Sequence, residues 1–252
     1  MAKFDIAKLL SENTYPGRGI IAGLSADGTR AMFAYFIMGR SVNSRNRVLE
    51  AFDGGMRTKA FDESKVVDPS LIIYNPYLRF ESETFDADII TNGNQTDTIY
   101  YFLKADPIDT AAFSKALSTR EFEPDAPNYT PRISAIAYYK KQESGEAGVR
   151  LGYRYSMSIL KSDGTPNVCD RFTFDYTPRA GIGHFIHTYK CDGNPIPSFY
   201  GEPEEVQIPD SPEEFAKIVW DNLNEDNKVS LYIRSVPLDG GESSDIIVNK
   251  NK

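Results

Sequence analysis

Cysteine and histidine are scarce in this sequence, and their scarcity excludes several kinds of protein. Cys169 and Cys191 are the only cysteines among 252 residues, too few for a disulfide framework or a cysteine-based structural zinc site. The only histidines, His184 and His187, lie three positions apart in a predicted strand, so their side chains point to opposite faces. We therefore expect no metal site, and both histidines are predicted to serve packing.

Basic charge and long apolar runs are also lacking. Lys and Arg number 28 against 36 Asp and Glu, which gives a net charge of −8 at pH 7. Such a balance disfavours non-specific binding to nucleic acid, yet it allows a small anionic ligand held by a local cluster of cations. No run of about 18 apolar residues predicts a membrane span. The start, MAKFDIAKLLSEN, lacks the apolar centre of a signal peptide. We expect a cytoplasmic protein without nucleic-acid or membrane partners.

An Asp-Gly pair between two apolar segments predicts a β-hairpin near the start of the chain. The segments RGIIAGLS and RAMFAYFIMGR flank ADGT at 26–29. Because the second segment has almost no polar alternation, the strand it predicts is covered on both faces. This favours two sheets stacked between layers of helices.

Turn residues and apolar periodicity predict the remaining elements. Helices are predicted over 4–12, from Asn94 or Thr96 to 105, over 107–120 with Asp109 as the cap, and over 211–226. In the last, Ser211 is the cap, Pro212 takes the first position, and Glu214 completes a capping box. Strands are predicted over 70–82 with a break at Asn75-Pro76, before the glycine turn at 92–93, and over 132–141, 149–160, 170–177, 181–190 and 228–236.

The end of the sequence, from 238 to 252, contains GGESSDIIVNKNK and is predicted to be a flexible tail. No internal repeat or long linker divides the rest, so we expect one domain over 1–252. Many antiparallel strands with segregated helices indicate the α+β class.

An arginine segment, FIMGRSVNSRNRVLE at 36–50, follows the apolar strand directly. It holds Arg40, Arg45 and Arg47, separated by small polar residues. One interpretation is a solvated turn. The other is an anion pocket, because guanidinium groups bind phosphate or developing oxyanions through paired hydrogen bonds.

Two further segments place polar residues at the ends of predicted strands. TNGNQTDT at 91–98 is a glycine turn that leads into a helix N-terminus, which favours a polar or anionic ligand if it is more than an ordinary cap. It is not a phosphate-binding P-loop, because the Gly-Lys-Ser/Thr ending is missing. FEPDAPNYTPR at 122–132 carries Glu123 and Arg132 on a proline-stiffened loop, which either connects two elements or holds a carboxylate in place.

Together these segments resemble the archaeal-type IMP cyclohydrolase family. The matching motifs are YPGRGI at 15–20, GRSVNSRNR at 39–47, NPYL at 75–78, TNGNQTDTI at 91–99 and YTPRISA at 129–135, with a looser match around HTY, NPIPSF and the helix after Ser211. The resemblance implies a four-layer αββα sandwich like that of N-terminal-nucleophile hydrolases, without the processed nucleophile, and it makes 1–14 an N-terminal extension.

The resemblance also implies a reaction and a set of site residues. The family closes 5-formamidoimidazole-4-carboxamide ribotide to inosine monophosphate with loss of water, the last step of de novo IMP synthesis, and needs no cofactor. The implied catalytic residues are Arg47, Glu123 and Tyr77. The implied substrate-binding residues are Arg18, Arg40, Asn75, Asn92, Thr96, Asp97, Thr130 and Arg132. Within this set, Arg40 and Arg132 are assigned to nucleotide binding. A homo-oligomer is compatible with these expectations.

One departure keeps another function open. The family has a tyrosine three residues after its Asn-Pro-Tyr motif, where this sequence has Phe80. Tyr74 or Tyr77 is the expected replacement. The alternatives are a purine-nucleotide-binding protein of the same fold with lost or altered activity, and a different amidohydrolase on that fold.

Overall fold

The computed structural model describes residues 3–66, 69, 73–107, 111–141, 150–165 and 167–251. The α-helices in this part of the chain are α1 (Ile6–Glu12), α2 (Val42–Arg45), α3 (Gln95–Ala105), α4 (Ala112–Ser118) and α5 (Pro212–Asn222). The strands are β1 (Arg18–Leu24), β2 (Arg30–Met38), β3 (Arg47–Phe52), β4 (Gly55–Ala60), β5 (Tyr77–Glu81), β6 (Phe85–Thr91), β7 (Arg132–Lys141), β8 (Arg150–Ser162), β9 (Cys169–Tyr176), β10 (Ile182–His187), β11 (Glu204–Gln207), β12 (Lys228–Pro237) and β13 (Ser244–Asn249).

The strands form two sheets in which all neighbouring strands are antiparallel. The six-stranded sheet has the order β11-β10-β1-β2-β12-β13. The seven-stranded sheet runs from β3 to β9 in chain order. Two antiparallel sheets with separate helices make an α+β sandwich, which confirms the predicted class. Within the described residues, none of the helices combines the length and apolar character needed to cross a bilayer.

Strand β2 is buried on both faces, as its composition predicted. Phe33 and Tyr35 lie in the apolar cluster between the sheets, together with Tyr155 of β8. Phe36 points the other way, into a cluster shared with Phe215 of α5. Each buried phenylalanine contributes roughly 1.5–3 kcal/mol relative to an exposed one. The continuous apolar run is therefore what two covered faces require.

Helices α3 and α4 cover the seven-stranded sheet on the side away from the other sheet. Ile99 of α3 and Phe113 of α4 share an apolar cluster with Ile89 and Ile136 of the sheet. Helices α1 and α5 contribute to the cluster on the six-stranded sheet. The sandwich core thus leaves the strand ends and their loops free to form sites.

The predicted flexible tail is wrong over Ser244–Asn249, where β13 pairs with β12 along six positions. Asn249 fixes it further: its Oδ1 accepts hydrogen bonds from Leu49 N–H (2.8 Å) and the Ser230 hydroxyl (2.8 Å), and its Nδ2 donates to the Leu49 carbonyl (3.0 Å). The polar GGESS segment suggested fraying, but DIIV supplies an edge strand that needs only one neighbour.

Three smaller predictions met different outcomes. Ser211 caps α5 by accepting from Glu214 N–H at 3.1 Å, but its hydroxyl donates to Glu213 rather than completing a box with Glu214. The strand predicted over 70–82 begins only at Tyr77 among the described residues, after the proline that cannot donate to a ladder. Asp109 lies outside the described residues.

Candidate active site

A cavity of about 270 Å³ lies between strand ends of the two sheets. Arg18 is the first residue of β1 in one sheet, and Arg47 is the first residue of β3 in the other. The loop before β7 closes the cavity with Glu123. The cavity is lined by Tyr15, Gly17, Arg18, Met38, Arg40, Ser41, Asn43, Ser44, Arg47, Glu123, Asp125, Asn128, Thr130, Tyr189 and Ile196. It therefore collects five of the predicted site residues, namely Arg18, Arg40, Arg47, Glu123 and Thr130.

The three arginines of the segment 36–50 have three different surroundings. Arg45 holds the turn itself: its Nε donates to the Gly39 carbonyl at 2.8 Å and its Nη2 to Asn227 at 3.1 Å. Gly39 leaves room for this turn, since an added Cβ would lie 2.7 Å from the Ser44 backbone. Arg45 is thus a structural residue, which explains why it does not line the cavity.

Arg47 is a buried cation that lacks an ion pair within the described part of the chain. Its side chain lines the cavity although the residue is only 2% exposed. Its Nε donates to the Ser44 carbonyl at 2.8 Å, which fixes the guanidinium plane. A buried charge without a counter-ion is costly. The cavity beside Arg47 is therefore suited to an anionic group.

Arg40 lies at the rim of the same cavity and already has partners. It forms an ion pair with Asp192, donates to the Gly193 carbonyl at 2.9 Å, and stands over the Tyr15 ring at 5.0 Å from its centroid. Its side chain is 37% exposed. Arg40 can turn towards a ligand by releasing Asp192, whereas Arg47 needs no such exchange.

Arg18 and Glu123 form a buried ion pair at the inner side of the cavity. Arg18 Nη2 lies 3.1 Å from Glu123 Oε2, and both side chains are less than a tenth exposed. Burial alone would lower the pKa of Arg18, but the Glu123 carboxylate raises it above the ordinary value. Arg18 thus places and neutralises the Glu123 carboxylate at the cavity wall.

The loop that carries Glu123 is held by its own polar side chains as well as by its prolines. Glu123 N–H donates to the Thr130 carbonyl at 2.9 Å. Asp125 accepts from the Thr130 backbone N–H at 2.6 Å and from the Thr130 hydroxyl. Tyr129 has a φ of 43°, a left-handed conformation that residues other than glycine rarely adopt. The loop therefore has a defined shape that fixes Glu123 and Thr130 relative to each other.

Two tyrosines complete the cavity, and neither was among the predicted site residues. Tyr15 and Tyr189 stack with ring centroids 5.8 Å apart. Burial raises the pKa of Tyr15, while Arg18 and Arg47 each act to lower it. Burial raises the pKa of Tyr189 to about 12. Both residues begin or end a motif of the resemblance (YPGRGI and HTY), which is the only sequence evidence that pointed to them.

The glycine turn at 91–98 lies outside the cavity lining, and its polar side chains form hydrogen bonds with the backbone. Asn92 donates to the Pro131 carbonyl (2.9 Å) and accepts from Ile133 N–H (2.9 Å). Thr96 donates to the Gly93 carbonyl at 3.0 Å. Asn92 thus joins the turn to the start of β7, and α3 begins after Asn94, whose side chain makes no capping hydrogen bond.

Asn75, Asp97 and Arg132 stand near the turn and also lie outside the cavity lining. Asn75 donates to Asp97 at 2.9 Å, and Arg132 donates to Gln95 at 2.8 Å. Burial lowers the pKa of Arg132, and Glu123 opposes that shift. Arg132 is therefore electrostatically linked to Glu123 without lining the same cavity.

Tyr77 lines a different cavity, of about 730 Å³, and is separated from Arg47 and Glu123. Its hydroxyl donates to Asp88 at 2.7 Å, and Asp88 is paired with buried Arg234 at 2.9 Å. Phe80 lies in the apolar cluster under α3 and lines neither cavity. The structure thus does not bring Tyr77 together with the other predicted catalytic residues, because β5 turns its side chain towards β12.

The two histidines point to opposite faces of β10, as predicted. His184 makes a 2.7 Å hydrogen bond with Tyr155 of the facing sheet, and burial lowers its pKa to about 4. His187 stacks on Phe185, with ring centroids 4.6 Å apart, in the outer cluster. Neither side chain reaches the arginine cavity.

The protein is thus of the α+β class, with a cavity lined by Arg18, Arg40 and Arg47 between the ends of its two antiparallel sheets. A family model described as "IMP cyclohydrolase-like protein" matches residues 15–240. The chain belongs to this family, which confirms the resemblance seen in its motifs and extends it well beyond residue 136. A comparison with curated proteins gave no match.

Proposed function

We propose that this protein closes 5-formamidoimidazole-4-carboxamide ribotide to inosine monophosphate with loss of water. Membership of the family supports this kind of function. The observation that carries the proposal is Arg47, a buried guanidinium in a cavity without an ion pair within the described residues. An anion that enters the cavity supplies the missing charge, and the proposed reaction offers both a phosphate and a developing oxyanion.

The proposed chemistry assigns different work to Arg47 and Glu123. The carboxamide nitrogen attacks the formyl carbon, a C–N bond forms, and the formyl oxygen gains negative charge. Arg47 donates to that oxygen, where it stabilises the transition state more than the ground state. Glu123 takes a proton from the attacking nitrogen and passes it to the oxyanion, which becomes a hydroxyl. It then moves the second proton from the formamido nitrogen to that hydroxyl, which leaves as water as the C–O bond breaks and a C=N bond forms. Arg18 keeps the carboxylate in position between these two transfers.

Substrate binding is proposed to use the rim of the cavity and the start of β7. Arg40 exchanges Asp192 for the substrate phosphate, because its side chain is partly exposed and its present partner is a partly exposed carboxylate. Arg132 adds positive potential from the far side of Glu123, and Thr130 shapes the wall. In this proposal Asn75, Asn92, Thr96 and Asp97 act indirectly, by fixing the turn that carries Gln95, which in turn binds Arg132.

We also propose that the four layers follow the αββα arrangement of N-terminal-nucleophile hydrolases. Helices α1 and α5 on one sheet and α3 and α4 on the other support that arrangement. A shared layering makes the position of the cavity, at the strand ends between the sheets, a natural place for catalysis.

The test is to mix the purified protein with the formamido ribotide and follow the ultraviolet change on ring closure. We expect closure by the wild-type protein and its loss in Arg47→Ala. Calorimetric binding of inosine monophosphate without any closure would instead support the alternative of a nucleotide-binding protein with lost activity. Absence of both binding and closure would overturn the proposal.

A further inference from the structure

A chain of hydrogen bonds fixes the direction in which the Tyr189 hydroxyl bonds. At neutral pH an aspartate carboxylate is an acceptor only. Asp125 uses one oxygen for the Thr130 backbone N–H, at 2.6 Å, and the other for the Thr130 hydroxyl. The single hydroxyl proton of Thr130 is thus committed to Asp125. When Thr130 also bonds to Tyr189, it must accept.

The Tyr189 hydroxyl must therefore donate to Thr130. Its hydroxyl keeps its proton at neutral pH, since burial raises its pKa to about 12. That proton points to Thr130, which is the only hydrogen-bond partner of this hydroxyl among the described residues. The oxygen lone pairs remain, and Tyr189 lines the arginine cavity. The cavity therefore sees an acceptor at this point and not a donor.

The position of Tyr189 is fixed independently of this chain. Its ring stacks on Tyr15, its N–H donates to the Pro16 carbonyl at 3.1 Å, and its carbonyl accepts from His187 Nδ1 at 2.7 Å. Residue Thr130 is 1% exposed. Neither hydroxyl can therefore rotate to a water molecule without breaking buried hydrogen bonds.

We propose that Tyr189 is a specificity-determining residue whose oxygen accepts a hydrogen bond from an N–H or O–H group of the bound ligand, with Asp125 and Thr130 setting that polarity. The arginines that line the cavity offer only donors to a ligand, whereas the Tyr189 oxygen offers an acceptor, so Tyr189 favours molecules that also carry a donor. In the function proposed above, on which the choice of ligand rests, the donor is either the base N1–H or the ribose 2′-hydroxyl.

Binding of three nucleotides tests the proposal and identifies the donor. The probes are inosine monophosphate, its 2′-deoxy form, and purine riboside 5′-monophosphate, which lacks both the N1 hydrogen and the 6-oxo group, so that only the affinity difference lost in Tyr189→Phe is assigned to N1–H. We expect the wild-type protein to bind the first about 2- to 10-fold more tightly than one of the two analogues, the range for one neutral hydrogen bond. Equal affinity for all three would overturn the proposal.

Asp125→Asn is the sharpest variant, because it exchanges one oxygen for an NH₂ group. The amide nitrogen then donates to Thr130, Thr130 donates to Tyr189, and Tyr189 turns its proton into the cavity. The loss of the Asp125 charge affects the affinity for each nucleotide alike and therefore drops out of the ratio between two affinities. That ratio should fall to one or invert. Tyr189→Phe should abolish it, and Thr130→Ser, which keeps the hydroxyl, should retain it. A ratio unchanged in both Asp125→Asn and Tyr189→Phe would refute the assignment.

A neutron structure of the ligand-free wild-type protein tests the polarity without any nucleotide or variant. We expect the Tyr189 deuteron to point to Thr130 and the Thr130 deuteron to point to Asp125. A Thr130 deuteron directed at Tyr189 would overturn the inference. If the wild-type protein binds none of the probes while the deuterons lie as expected, the proposed function fails and the polarity of Tyr189 stands.

Discussion

Glu123→Gln separates the proton-carrying role of Glu123 from its structural one, since glutamine keeps the shape and an acceptor oxygen for Arg18. In the folded protein the two charged groups are 3.1 Å apart and nearly inaccessible to solvent. Removing one partner of a buried ion pair costs about 3–5 kcal/mol, because the other charge is left without compensation. The retained hydrogen bond places the expected loss at the lower end. For a chain of this size, about 3 kcal/mol lowers the melting temperature by roughly 6–12 °C.

The effect on turnover should exceed the effect on stability. A group that moves a proton only in the transition state changes kcat far more than KM. We expect kcat for ring closure to fall about 10²–10⁴-fold, the usual contribution of general acid–base catalysis. The assay is the ultraviolet change on closure, followed from acid to alkaline pH at a temperature well below the melting point of the variant.

The double variant Arg18→Met/Glu123→Gln is the matched control. It removes both charges, so the penalty for an unpaired guanidinium disappears and the melting temperature should recover by more than the two separate effects predict. Turnover should not recover. Closure by Glu123→Gln at the wild-type rate across pH would refute the shuttle role, and a double variant no more stable than the single one would refute the ion-pair argument.

Three further predictions concern other parts of the molecule. Arg47→Ala should lower kcat about 10²–10³-fold, the cost of losing one oxyanion donor, whereas Arg40→Ala should mainly raise KM in the same closure assay; the reverse pattern contradicts the division of labour. Burial holds the pKa of His184 at about 4, so the unfolded chain binds more protons below its ordinary pKa of about 6.5. The free energy of unfolding should thus fall as the pH drops from about 6.5 to about 4, by at most about 3 kcal/mol. His184→Gln should flatten this pH dependence when urea unfolding is measured across the same range. Asn249→Ala removes three hydrogen bonds and should cost about 2–3 kcal/mol in urea unfolding at roughly 1 kcal/mol each; an unchanged midpoint means that the Asn249 side chain adds nothing to stability.

Local patterns predicted the fold well where one strand or turn decides the outcome. The Asp-Gly turn predicted the hairpin of β1 and β2, and the unbroken apolar run predicted that β2 is covered on both faces. The end of the chain was harder. A short edge strand such as β13 depends on β12 already being in place, and no local pattern records that dependence.

The candidate site shows where sequence reasoning stops. Arg47 and Glu123 were predicted from charge and from the family resemblance, and the structure places both on one cavity. Asn92 was predicted as a ligand contact but serves the backbone, because an amide suits both tasks equally. Tyr189 was missed because its role comes from Thr130 and Asp125, which lie about sixty residues earlier in the chain and meet it only after folding.

The Asn249 contacts also bear on how the protein opens. β3 is an edge strand, and edge strands usually fray in small local excursions. Here Asn249, from the other sheet, holds both backbone groups of Leu49, and Asn251 donates to the Arg47 carbonyl at 3.3 Å. An excursion that displaces Arg47 must therefore detach β3 from a strand of the opposite sheet. We therefore expect amide hydrogen exchange at Leu49 to be slower than at an edge strand that frays alone, because opening must also break the hydrogen bonds to Asn249.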